Sequence, residues 1–150
     1  MSESSNNLAV SLFSEILAVN HMARGSVAKV LPKGMELSHF AVLNHLAHSG
    51  GERSPGELAR AFHLTRGAMT NTLGKLEWAG WVHIRPDWDD ARRKMVAISP
   101  AGRAARNAAL EAIAPIISRI VEEVGADQVR AALPVLRAMR QNLTDAAGQG

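Results

Sequence analysis

Asp90, Arg92, Arg93 and Lys94 fall within five residues, inside the run DDARRKMVAIS at 89–99. A carboxylate two positions ahead of a guanidinium can accept a charge-assisted hydrogen bond from it and fix its direction. A guanidinium fixed in that way suits a polyanion, above all the minor groove of DNA, where negative potential attracts an inserted arginine. Arg93 and Lys94 beside it suit phosphate. Asp87 and Asp89 count against this, because carboxylates at a DNA-facing tip repel unless they are turned away. Aspartate is also simply a turn residue.

A second group lies upstream, in Thr65, Arg66, Gly67, Thr70, Asn71 and Lys75. With Met69 and Leu73 placed inward on a helix, these residues fall on the outer face or its flanks. Arg and Asn can read base edges bidentately, Thr can meet a thymine methyl or a phosphate, and Lys suits phosphate. Gly67 and Gly74 each cost about 1 kcal/mol against alanine in a helix. Close backbone approach to DNA is one reason to accept that cost.

Other chemistries find little support. The chain has no cysteine, which excludes disulfides, thiolate metal sites and thiol redox sensing. No Gly-rich phosphate loop follows a strand, and no His–Glu metal helix or acid–base–nucleophile set is present, so an enzyme is not expected. Of six histidines, His45 and His48 are three apart on one helix face, and His21 and His39 could approach each other. No carboxylate accompanies them at a ligand spacing, so neither a metal nor any other cofactor is expected.

The positioning elements follow from periodicity and punctuation. Leu8, Leu12, Ile16, Val19 and Ala23 predict a helix from Leu8 to about Leu31, broken by Pro32 and Gly34. Ser38 or a neighbour starts a second helix, ended by SGGERS. Ser54-Pro55-Gly56-Glu57 opens a short third, with serine capping, proline at the first helical position and Glu57 able to complete a capping box. Thr65 caps a fourth, which Gly80 stops. Leu58, Ala59, Leu64, Met69, Leu73 and Leu76 then form one buried set, the helix-turn-helix pattern. WVHIR and KMVAIS predict a hairpin, and a hairpin directly after such a helix is a wing. Two long helices follow, Ser99-Pro100 to about Val124 and Asp127 to Ala146, with a kink or irregular turn expected at Pro115 and a bend at Pro134. Trp81 should be core; Trp78 and Trp88 should be partly exposed.

In this register, the run from Ser38 to Gly102 resembles the MarR family of bacterial transcription regulators. The residues that carry the resemblance are ELARAFHLTRGAMTNTLGKLEWAGWV, then Asp90-x-Arg92, Val96-x-Ile98-Ser99 and Gly102. Asn71 is a departure, since a basic residue is common after the recognition-helix threonine in that family. The resemblance implies a winged helix-turn-helix that binds double-stranded DNA as an obligate homodimer. It also implies a small effector, often aromatic or anionic, in a crevice that Met22, His39 and Leu43 would help to line. The sequence gives the dimer independent support. Ile113, Ile116, Ile117, Ile120, Val121 and Val124, like Val129, Leu133, Leu136, Met139 and Leu143, cover more than one helix face.

The expected fold is thus mainly α with a small antiparallel β-hairpin wing. Residues 1–34 would serve dimerisation, 35–99 would form the DNA-binding domain, and 100–150 would return to dimerisation. The totals agree. Residues 53–106 hold ten Lys/Arg against five Asp/Glu, whereas the other 96 hold seven against nine, which makes the middle polyanion-facing. The chain is 47% apolar with no membrane-length run, and MSESSNNLAV has no charged leader pattern, so a cytoplasmic location is expected. The function expected is a sequence-specific regulator, a repressor on a pseudo-palindromic operator released by ligand. A winged module for protein–protein contact, without specific DNA binding, is the alternative.

Overall fold

The computed structural model describes residues 2–148. The order is α1 (Glu3–Ala28), α2 (Leu37–Ser49), α3 (Pro55–Ala61), α4 (Arg66–Trp78), β1 (Val82–Pro86), β2 (Lys94–Ile98), α5 (Pro100–Val124) and α6 (Ala126–Gly148). The fold is mainly helical, with β1 and β2 paired antiparallel from Val82 opposite Ile98 to Pro86 opposite Lys94. The chain forms two compact units, residues 1–113 and 114–150, which divide within α5.

In the first unit the core is built where the helical and strand periods put apolar side chains on one side. Leu43 and Leu46 of α2, Leu58 of α3, Met69, Leu73 and Leu76 of α4, and Val82 and Val96 of the hairpin are its largest buried side chains. Ala59 is buried between them, and its small side chain suits a close crossing of α3 and α4. Leu64 does not join this set as expected. It is 45% exposed, because the α3–α4 turn carries it out of the crossing. In that turn His63 takes a left-handed φ of 52°, and the Leu64 N–H reaches back to the Ala59 carbonyl at 2.9 Å. Gly80 makes the matching turn after α4, where the Trp81 N–H meets the Leu76 carbonyl at 3.0 Å.

Several boundaries differ from expectation for local reasons. α1 starts at Glu3, because Ser2 accepts a hydrogen bond from the Ser5 N–H at 3.2 Å and so caps it earlier than the apolar pattern begins. α2 starts at Leu37, a neighbour of Ser38 as expected, with Glu36 as its cap and His39 Nδ1 accepting from the Glu36 N–H at 3.0 Å. Glu57 completes no capping box, and its carboxylate faces Arg93 Nη2 at 3.7 Å. α5 and α6 each continue as one helix through Pro115 and Pro134. Both prolines are exposed, so the carbonyl that each leaves without a donor can be solvated.

One strand-like contact was not foreseen. Arg53 pairs antiparallel with Val96, N–H to carbonyl at 2.9 Å and 2.8 Å, and ties the α2–α3 loop to the wing. Ser99 closes the wing's other end. Its Oγ donates to the Gly80 carbonyl at 2.6 Å and accepts from the Gly102 N–H at 2.9 Å. A Cβ on Gly102 would lie 1.9 Å from the Trp81 carbonyl oxygen, so only glycine permits that approach.

In the second unit, Gly125 at φ 106° separates the end of α5 from α6. Ile117, Ile120, Val124, Leu133, Val135, Leu136 and Leu143 are all exposed there.

Candidate nucleic-acid interface

Residue 65 sets the interface in place. Thr65 Oγ1 accepts from the Ala68 N–H at 3.1 Å, which starts α4 just before Arg66. With Met69, Leu73 and Leu76 buried, Arg66, Gly67, Thr70, Asn71, Gly74 and Lys75 are left exposed on the outer face. A Cβ added to Gly67 or Gly74 would meet nothing within 4 Å. Neither glycine is therefore required by packing inside the protein.

At the wing, the Asp90 Oδ1 accepts from both the Arg92 backbone N–H at 3.0 Å and the Arg92 Nε–H at 3.1 Å. One oxygen thus holds the chain and the guanidinium together, in place of a two-oxygen fork. The hydrogen bond from the Arg92 side chain, then that from its backbone, holds the Asp90 carboxyl below its ordinary pKa. Arg92 stays 91% exposed at the side chain. Asp87 is also occupied by the turn, since its Oδ1 accepts from the Asp89 N–H at 3.1 Å while its own N–H donates to the Arg93 carbonyl at 2.9 Å.

The two groups meet in one groove. Arg66, Thr70 and Gly74 of α4 line it with Arg92, Arg93 and Lys94 of the wing, Pro55 of α3 and its cap Ser54. Four cations share it with the acid Glu77, and Arg93 also faces Glu57. Asn71 and Lys75 lie on the opposite flank of α4, where they line a second hollow with Lys33, Glu36, His39, Trp78 and Trp81.

Met22 is 70% exposed on α1, His39 is buried beside Trp81, and Leu43 lies wholly within the core. His45 packs edge-on against Phe62, and His48 lies 3.4 Å from Arg106. Among the described residues, no group of three His, Asp or Glu side chains is placed to hold a metal. Trp81 is half-buried against the core, whereas Trp78 is 93% exposed.

Sequence reasoning missed the contacts that Arg85 makes near the tip of the wing. Arg85 Nη2 donates to Glu52 Oε1 at 2.7 Å and Nη1 donates to the Pro86 carbonyl at 2.8 Å. The Arg85 guanidinium lies 4.1 Å over the Trp88 ring. The hydrogen bond to Glu52 raises the Arg85 pKa. Alternation marked Arg85 as a strand residue, but nothing local pointed to a partner 33 positions away.

The helix pair, hairpin and closing Ser99–Gly102 contact stand in the order the motif required, and residues 33–93 match the MarR family model. Over that stretch, which is less than half of its length, the chain is similar to the MarR family. A curated relative, the transcriptional activatory protein BadR of Rhodopseudomonas palustris, is 29% identical over 86 residues, or 56% of this chain. That match spans 49%, about half, of the length of BadR. A mutant MarR from E. coli, crystallised with operator DNA, superposes at a TM-score of 0.79 with 23% identity, covering 89% of this chain and 96% of that one. The organohalide-sensing regulator RdhR-CbdbA1625, in its 2,4-dichlorophenol-bound form, gives 0.81 with 20% identity, covering 91% and 82%. At these identities the structural likeness is one of fold. BadR and RdhR-CbdbA1625 are both named as transcription regulators. Among the described residues, no helix is long and apolar enough to cross a membrane.

Proposed function

We propose that this chain is a member of the MarR family, a cytoplasmic, sequence-specific regulator that binds a pseudo-palindromic operator as a homodimer. The observation that carries this reading is the groove shared by Arg66 and Thr70 of α4 with Arg92 of the wing. With α4 in the major groove, Thr65 and Gly67 open its N-terminal turn to phosphate, while Arg66, Thr70 and Asn71 face base edges. Arg92 enters the adjacent minor groove, pre-set by Asp90, and Arg93 and Lys94 take phosphates. E. coli MarR with operator DNA is a relative of the same fold caught on such a ligand.

The dimer is supported by apolar surface. Leu8, Val10, Leu17, Val19 and Met22 of α1 are exposed, and among the described residues none in α1 is buried. The second unit exposes a comparable apolar set. At about 25 cal/mol per Å2 such surface is costly to leave in water, and a second copy covers it on both partners at once. Two-fold symmetry then offers two recognition helices to one duplex. A small aromatic or anionic effector would act by favouring one spacing of those helices over another. The dichlorophenol bound to RdhR-CbdbA1625 supports that class of ligand. Repression follows where the operator overlaps a promoter; activation, as BadR is named for, follows where it lies beside one.

The test is fluorescence anisotropy of the intact chain with duplex from its own upstream region, across salt. Affinity at least about 1,000-fold above random duplex, falling steeply with salt, is expected. A folded dimer that binds both duplexes alike, or neither, overturns the reading and favours a protein-contact module.

A further inference from the structure

We propose that the second hollow, on the α2 side of α4, is a phosphate clamp for the other DNA strand, with Lys33 as a contact residue outside the helix-turn-helix and the wing. The inference rests on the DNA-binding reading above. Thr70 and Gly74 line both hollows, so this stretch of α4 is a ridge with a depression on each side. A helix with its side chains is about 10–12 Å across, close to the roughly 12 Å width of the major groove. A ridge of that size fills the groove and brings a phosphate strand against each flank. The wing-side flank carries the arginines already described. The far flank carries Lys75 on the helix and Lys33 on the loop before α2.

Lys33 is not on a loose loop. The Met35 N–H donates to the Pro32 carbonyl at 3.0 Å, closing a turn around Lys33 and Gly34, and Met35 is buried in the core. The acid in this hollow, Glu36, has its Oε2 3.9 Å from His39 Nε2. Two ammonium groups on separate elements therefore face one backbone strand. They supply affinity and register without reading sequence.

The experiment compares Lys33→Ala, Lys33→Arg and the parent chain on the upstream duplex and on random duplex, from about 50 to 200 mM salt. For each Lys33 that touches phosphate, Lys33→Ala should lower the slope of log affinity against log salt by about 0.9. The ratio of specific to random affinity should stay unchanged, and Lys33→Arg should restore the slope. A parent that binds specifically while Lys33→Ala keeps the full slope overturns the clamp and leaves the function standing. A changed specificity ratio also overturns the clamp, because it assigns Lys33 to base readout. A parent that binds neither duplex overturns both.

Discussion

The Asp90 Oδ1 binds Arg92 twice, at the backbone N–H and at Nε, and so sets both the turn of the wing and the heading of its exposed guanidinium. In the proposed function that arrangement readies the arginine before DNA arrives. Arg92→Ala should weaken operator binding by about 1–3 kcal/mol, the size of one good groove contact. Asp90→Ala should lose part of the same amount. Titration calorimetry checks both; unchanged affinity for the first removes the wing from the mechanism, and a gain for the second means that the carboxylate only repelled phosphate.

The same contact has a pH signature. Hydrogen bonds from Arg92 lower the Asp90 pKa from 3.8, so the charged pair is complete above the ordinary carboxylate range. It is lost only as pH falls through the lowered value, and DNA affinity near neutrality should not follow this group. Carboxyl carbon NMR should place the midpoint below 3.8 and show Arg92→Ala moving it upward. A midpoint at or above 3.8 in the parent contradicts the pairing.

Gly74 separates stability from function. A Cβ there meets no atom within 4 Å, so Gly74→Ala should stabilise α4 by about 1 kcal/mol. The same methyl stands on the ridge proposed to enter the major groove, so DNA affinity should fall while the melting temperature rises. Thermal melts and anisotropy on one sample check this, and a stabilised variant with full affinity would show that the backbone does not approach DNA there.

Gly102 behaves oppositely. Its substitution by alanine drives a Cβ into the Trp81 carbonyl, where both partners are main chain and cannot yield cheaply. A loss of about 1–3 kcal/mol is expected. For a chain of this length, that corresponds to roughly 2–4 °C of melting temperature per kcal/mol. A melting temperature equal to the parent's would mean that the wing-to-α5 clasp is looser than its geometry.

What could be read from the sequence was local. Ser54 and Thr65 cap as their residue types require, Gly80 stops α4, and Asp90 meets Arg92 across two positions. What could not be read joins distant positions or uses unusual residues. Glu52 finds Arg85, Arg53 finds Val96, and a histidine instead of a glycine takes the left-handed turn after α3. Leu64 was misplaced for that last reason: the pattern gave its period, but the turn at His63 decided its direction. The division of labour on α4 was legible face by face, whereas the hollow behind it needed Lys33 brought in by a separate turn.

Footprinting of the upstream duplex shows whether α4 and Arg92 occupy neighbouring grooves, with one probe for guanine N7 in the major groove and hydroxyl radical for the backbone. The account predicts two protected major-groove segments about 10–10.5 base pairs apart, or a multiple of that, with adjacent minor-groove protection that disappears in Arg92→Ala. A folded chain that leaves the major groove open, or minor-groove protection indifferent to residue 92, would contradict it.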